Sequence, residues 1–332
     1  MITKRIYRKV RSLIQDTLTF PLRIKTLNAS TPLDIKTYDG GNQCLHPSCL
    51  YFSEGWNGYK FWFVITPYKE MNEAIENPCI YGSNDGVNFT PCPNANPLDD
   101  IILPSECEYN SDPELVYNPN LNRIECWWRR VQTSKYPTES ERNIEILYRS
   151  FTTDGINWSA KECMLKYTNS IDATRGLISP SIMYDNGTYD LWASSSRNEN
   201  STDRLLIHYS YKEGEEVKQV AEYKPKHSLS HICTLKESDK TIIVGFDVNQ
   251  KGFPYMLYEI GKDNQLICKG TILRQGFKNS WDGSRLYRPH IVKVESEYWL
   301  YYSAYQEKPS GNCHVGLLRF KNWIELSKCF LQ

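Results

Sequence analysis

From about residue 40 onward, short apolar and aromatic runs alternate with polar positions and are separated by Asn/Gly turns, the period-two pattern of half-buried strands. Several segments open alike. They read His46-Pro47-Ser48-Cys49-Leu50-Tyr51-Phe52, Asp112-Pro113-Glu114-Leu115-Val116-Tyr117, Ser179-Pro180-Ser181-Ile182-Met183-Tyr184 and Arg288-Pro289-His290-Ile291-Val292-Lys293. A weaker fifth, His231-Ile232-Cys233-Thr234-Leu235, lacks the proline. A spacing of about 45 to 70 residues is that of four-stranded propeller blades. The expected fold is therefore all-β, a five-bladed β-propeller over residues 40–332. Proline is tolerated at the first residue of a strand, where its missing N–H is needed least. In a propeller that strand lines the central channel, so the X-Pro-X residues are the place to look for a ligand site.

Residues 1–25 follow a different period. Lys4, Arg5, Arg8, Lys9 and Arg11 interleave with Ile2, Ile6, Val10, Leu13, Ile14 and Leu18 at spacings of three to four, which predicts a short basic amphipathic helix. Such a helix either makes peripheral membrane contact through residues 1–20 or packs on the outside of the domain.

Composition narrows the partners. The 332 residues carry 39 Lys+Arg against 39 Asp+Glu, so the chain as a whole has no electrostatic footprint for nucleic acid. Aromatic residues reach 13%, which suits strands and sugar-contacting surfaces. Trp56, Trp62, Trp127, Trp192 and Trp281 are read as packing between blades, with sugar stacking as the alternative. Eleven cysteines show no CxxC pair or Cys/His ligand spacing, and no secretory core or 18-residue apolar run occurs. Reduced thiols and a cytoplasmic location are expected. Gly-rich phosphate loops, G-x-S-x-G and H-E-x-x-H are missing, which argues against a kinase, a serine hydrolase and a zinc protease.

Ser83-Asn84-Asp85-Gly86-Val87-Asn88-Phe89 and Thr152-Thr153-Asp154-Gly155-Ile156-Asn157-Trp158 resemble the Asp-box hairpin of sialidase-like propellers. Asp85 and Asp154 are accordingly read as turn-holding. The order of the blade openings is similar to that of glycoside hydrolase family 43, whose blades open with D-P, A-P-D-V and E-G-P-H. That resemblance implies three carboxylates at the openings. Here His46 stands in the first, Asp112 and Glu114 in the second, and Tyr287-Arg288-Pro289-His290 in the last. Glycoside hydrolysis needs two carboxyl groups.

Cations replace the others. Arg288, His290, Arg175, Arg285 and Arg129 or Arg130 suit an anionic ligand, since guanidinium groups bind phosphate bidentately. The chain also resembles propeller glycosyltransferases of bacterial O-antigen and exopolysaccharide assembly. That likeness implies transfer of a pentofuranosyl group from a phosphorylated sugar donor, such as phosphoribosyl pyrophosphate, to a glycan or lipid-linked glycan acceptor. A pyrophosphate donor would bring a divalent cation such as Mg²⁺, and no other cofactor is expected. Asp112 or Glu114 is the expected base, with His46, and Pro113 between them places at least one in the channel. Arg288, His290, Arg175, Arg129, Arg130, Arg285 and Tyr287 are the expected donor-binding groups, with Glu76 at the channel rim and Arg197 a weaker addition. His227 and His231 would share one face of a strand, but no third metal ligand is evident. The alternatives are a family 43-like glycoside hydrolase and a carbohydrate-binding propeller without activity.

Overall fold

The computed structural model describes residues 31–102, 108–132, 144–168, 175–196, 203–307 and 311–323. The expected N-terminal helix and Arg197 lie outside them. Five antiparallel sheets follow one another along the chain, each with its first strand innermost. The first blade holds β1 (Cys44–Trp56), β2 (Tyr59–Pro67), β3 (Cys79–Ser83) and β4 (Thr90–Pro91). The second holds β5 (Glu108–Asn118), β6 (Arg123–Gln132), β7 (Ile144–Thr152) and β8 (Glu162–Thr168). The third is built from β9 (Arg175–Asp185), β10 (Thr188–Ser196), β11 (Arg204–Lys212) and β12 (Lys218–Tyr223). In the fourth are β13 (Leu229–Glu237), β14 (Lys240–Asp247), β15 (Tyr255–Ile260) and β16 (Leu266–Leu273). The last has β17 (Arg285–Val294), β18 (Glu297–Tyr305) and β19 (Cys313–Phe320). Leu33 N–H donates to Val315 O at 2.8 Å, so the chain before the first blade runs beside β19. Among the described residues no helix is long and apolar enough to cross a membrane, and the nine described cysteines are free thiols.

The expected openings are the five innermost strands. Each carries the same irregularity. Three residues on the inner strand span two on its partner: Leu45 to Ser48, Ser111 to Glu114, Ile178 to Ser181, Ser230 to Cys233 and Leu286 to Pro289. These are β-bulges, which add a residue and re-aim its side chain. The first extra residue has φ of 55° at His46, 54° at Asp112, 45° at Ser179 and 47° at His231. Non-glycine residues pay roughly 1–3 kcal/mol for such a conformation, and the surrounding sheet must hold them there.

Below the bulges a belt of hydrogen bonds joins each blade to the next. Ser48 Oγ accepts from Leu115 N at 3.0 Å, Glu114 from Ile182 N, Ser181 Oγ from Thr234 N at 2.9 Å and Cys233 Sγ from Ile291 N at 3.3 Å. His290 Nε2 to Cys49 O, 2.9 Å, closes the ring. Proline fills the second bulge position in the first three blades, where an N–H would have no strand partner. In the fifth blade proline comes one residue later. Arg288 takes that position, Ser303 Oγ satisfies its N–H at 3.0 Å, and its guanidinium runs into the belt. There it meets Glu114 at 2.7 Å and the carbonyls of Pro113 and Pro180 at 2.9 and 3.1 Å. The five tryptophans named above are all buried, as core between blades.

Inner strands enter at one face, so the β2–β3 connection and the blade-to-blade connections share that face, while β3–β4 and β7–β8 turns lie at the other. Both Asp-box turns are at the far face. Asp85 Oδ1 accepts from Val87 N and Asn88 N, each at 2.8 Å, and Asp154 Oδ1 from Ile156 N and Asn157 N at 2.9 and 2.8 Å. Gly86 and Gly155 have φ of 69° and 75°, and a Cβ on them would lie 2.5 Å from Trp299 and 2.3 Å from Trp62. Partial burial pushes the Asp85 carboxyl up, but the amide and side chain of Asn88, with Val87 and Ser83, hold it below the usual carboxylate range.

Two stability predictions follow from these contacts. Asp85→Ala should cost about 1–2 kcal/mol at neutral pH, read by urea denaturation. A depressed carboxyl contributes above its unfolded pKa of about 4 and loses that contribution as pH falls, so the deficit should shrink below that pH. Glu114→Ala, which strands the Arg288 guanidinium, should cost about 3–5 kcal/mol in the same measurement.

Candidate active site

The first bulge residues of the five blades, His46, Asp112, Ser179, His231 and Tyr287, converge at the mouth of the channel. Asp112 is wholly buried at their centre. Its Oδ1 lies 3.1 Å from His46 Nε2 and 3.2 Å from His231 Nδ1, and it accepts from the Ser179 hydroxyl. Its Oδ2 takes Arg129 Nη2 at 2.9 Å and the Ser179 N–H at 3.3 Å. Arg129 Nη1 continues to Glu145 at 2.9 Å, whose other oxygen accepts from Gly176 N and Leu177 N at 2.5 and 3.0 Å. The histidine rings face each other at 5.7 Å, and Tyr287 lies 5.4 Å from His46 and 4.1 Å from His231. Phe246 stacks on both His231 and Tyr287, at 5.3 and 5.6 Å, and completes an aromatic wall.

Glu76 follows the 3₁₀ turn Glu73–Ile75 in the β2–β3 connection and reaches within 3.7 Å of His46 Nδ1. That nitrogen is already bonded to Thr66 Oγ1 at 2.8 Å. His46 Nε2 and Glu76 Oε2 are both buried without a hydrogen bond.

Charge follows from these surroundings. Burial raises the Asp112 carboxyl, but Arg129, His46 and His231 outweigh it and hold it well below the carboxylate range. Burial keeps His46 well below the usual imidazole range and His231 at about 4, against the pull of Asp112. For Glu76, burial and then Asp112 push the carboxyl well up. At neutral pH Asp112 is thus a carboxylate between two neutral imidazoles, with the Glu76 carboxyl beside them shifted toward its protonated form.

His46, Asp112 and His231 each offer one ligand atom, and the three lie within 4.8 Å of one another. Sequence reading passed over this set because it weighed His231 with His227, four residues away. His227 instead bonds Tyr258 Oη at 2.8 Å, away from the mouth. Ser179, His231 and Asp112 do not form a nucleophilic triad. Both Ser179 and Asp112 meet the same nitrogen, Nδ1, whereas a relay needs opposite ring nitrogens.

Four of the expected phosphate-holding groups, Arg288, His290, Arg129 and Arg130, are engaged within the protein. Arg288 is 1% exposed and pinned in the belt, and His290 is bonded to Cys49 O with burial lowering it to about 3. Arg129 is buried on Asp112 and Glu145, and Arg130 pairs with Glu108 at 2.6 Å. Arg285 lies over the rings of Tyr305 and Phe253 at 4.2 and 5.6 Å. Arg175 opens β9, and its side chain is outside the described residues. Asp112 and Glu114 both face the axis, at two depths. Glu114 belongs to the belt, where burial outweighs Arg288 and raises it to about 7. Ser179 and Glu145 escaped sequence reading, although Ser179 stands before Pro180 as Asp112 does before Pro113.

No family model matches the chain. An A type blood N-acetyl-α-D-galactosamine deacetylase of Flavonifractor plautii is 27% identical over 182 residues, 47% of this chain. The match spans 23% of that protein, about a quarter of its length. A crystal structure of an N-acetylgalactosamine deacetylase from F. plautii, with blood group B trisaccharide, superposes with a TM-score of 0.75 at 18% identity. It covers 89% of this chain and 96% of that one. An exo-β-1,3-galactanase of Phanerochaete chrysosporium gives 0.57 at 10% identity over 87% of this chain and 64% of that one. For a Bombyx mori family 32 β-fructofuranosidase the values are 0.59, 13%, 93% and 66%. These relatives are a deacetylase and glycoside hydrolases, which overturns the expected glycosyltransferase with its phosphorylated pentose donor and its place in O-antigen assembly. The chain is a five-bladed β-propeller of the kind found in these carbohydrate-active hydrolases.

Proposed function

We propose that the chain is a carbohydrate-active hydrolase that removes the acyl group of an N-acylated sugar, with His46, Asp112 and His231 holding a divalent cation. The observation that carries this reading is the convergence of three buried ligand atoms within 4.8 Å, one of them, His46 Nε2, without a hydrogen bond. Two neutral imidazoles and a carboxylate are ligands of the type that zinc and neighbouring first-row ions take, and three protein ligands leave open the position that catalysis needs. When bound, such an ion polarises a carbonyl oxygen and acidifies a water molecule.

The chain's own residues supply the rest. Arg129 keeps Asp112 ionised, and the Thr66 hydroxyl at Nδ1 turns His46 so that Nε2 faces inward. Glu76 lies beside them with an unpaired oxygen and a raised pKa. An amide nitrogen leaves only when protonated, and Glu76 holds a proton where it can be exchanged with water and leaving amine. Tyr287, half-buried and backed by the buried Phe246, offers an aromatic ring to a sugar face. The F. plautii relative, a deacetylase of N-acetyl-α-D-galactosamine, supports the substrate class.

One observation favours a second reading, glycoside hydrolysis. Asp112 and Glu76 are carboxyls pushed in opposite directions, which is how paired acids divide the work of glycoside cleavage.

The two readings differ in product and in chelator response. Deacetylation predicts acetate release from N-acetylgalactosamine glycosides, lost on chelation and restored by Zn²⁺ or Mn²⁺. Release of free sugar that survives chelation would decide for the glycosidase. In the deacetylase, Glu76→Gln should lower kcat by about 10²–10⁴-fold with metal content unchanged, while His231→Ala should lose the metal.

A further inference from the structure

Arg285 is two residues before Tyr287 at the start of β17, directly opposite Tyr305. Its guanidinium rests on Tyr305 at 4.2 Å and Phe253 at 5.6 Å. Tyr305 in turn touches Tyr287, at 5.4 Å, and Phe253 stacks on Phe246 at 4.8 Å. Arg285 is therefore one ring removed from the wall of the site. Its Nε is buried without a hydrogen bond, and no carboxylate pairs with it among the described residues. Other buried or half-buried arginines of the site face, Arg129, Arg130 and Arg288, each hold a carboxylate.

Beside Arg285, on the same face, the β14–β15 and β16–β17 connections and the end of β18 enclose a cleft of about 450 Å³. Lys251, Lys278, Gln275, Phe277 and Ser284 line it, with Glu307 as its one acidic residue. Neither lysine has an ion-pair partner among the described residues.

We propose that Arg285, with Lys251 and Lys278, forms a subsite for an anionic group, a carboxylate or a sulfate, on the glycan residue adjoining the sugar in the site. Aromatic faces fix the guanidinium in one plane without neutralising it, so its N–H groups remain available for a bidentate anion. Phe277 gives the same residue an apolar surface. This rests on the carbohydrate-hydrolase reading for its substrate, but not on which bond is cleaved.

Matched N-acetylated oligosaccharides that are neutral, uronate-bearing or O-sulfated provide the test, with the full chain and calorimetric titration. Wild type should bind one anionic series about 10-fold or more tighter than the neutral one, with the preference falling as salt rises. The two anionic series separate carboxylate from sulfate. Arg285→Met keeps the stem on the rings and should remove most of the preference. Lys251→Ala with Lys278→Ala, on exposed positions, should reduce it about 3-fold and guards against a misfolded Arg285 variant. Equal affinity for neutral and anionic glycans, no binding of any, or a preference that survives Arg285→Met in a folded protein would overturn the subsite. An anionic preference without acetate or sugar release would leave the subsite standing and remove the hydrolase reading instead.

Discussion

Asp112 places a full negative charge on the propeller axis with no exposure to solvent, and much of the surrounding architecture answers that charge. Arg129, one strand out, meets one of its oxygens, and Glu145, a further strand out, meets Arg129. Glu145 then docks on the backbone of β9, which carries Ser179 back to Asp112. The circuit ties the second blade to the third and locks the carboxylate with Oδ1 turned toward both histidines. Burial keeps the two imidazoles beside it well below their usual range, and the positive charges of Arg129 and Arg288 push them the same way.

Backbone geometry makes this possible. One bulge, repeated in five inner strands, creates two tiers on the axis: first bulge residues at the mouth and, two positions on in the first four blades, residues of the belt. His46, Asp112 and Ser179 are followed by Ser48, Glu114 and Ser181, so polar side chains two residues apart take different tasks. Four of the upper-tier residues, His46, Asp112, Ser179 and His231, are held in left-handed backbone at a cost of roughly 1–3 kcal/mol each. The lower tier supplies the interblade hydrogen bonds that offset it. Functional side chains stand on strands whose register the belt has already fixed.

Much of this was legible in the chain. The openings marked the inner strands, the period counted the blades, and the bulge prolines drew attention to His46 and Asp112. Less could be read where a residue's meaning depends on a partner far away in sequence. Arg288 read as a free cation because Glu114, 174 positions away, is invisible to a local pattern. Alignment by proline also misplaced it, since the fifth-blade proline falls one residue late and Tyr287 holds the equivalent position. The same limit hid the metal-type cluster. Its members come from three blades, and the only spacing visible along the chain, His227 to His231, joined a site residue to one bonded elsewhere.

Because the upper-tier positions occupy corresponding places at the five bulges, their side chains can change the chemistry without disturbing the fold. Two carboxyls facing across a channel mouth move protons to and from a glycosidic oxygen. In this chain the upper tier has a single acid, Asp112, between two imidazoles, and Tyr287 fills the fifth position. The second carboxyl, Glu76, arrives from a connection outside the inner strands. The raised Glu76 carboxyl and the depressed Asp112 carboxyl therefore answer to different constraints. Asp112 is fixed by Arg129 and cannot approach a substrate without abandoning that pair. Glu76 has an oxygen with no partner to abandon. The division leaves the paired, charge-bearing carboxyl on the inner strand and the carboxyl with an unpaired oxygen on the loop.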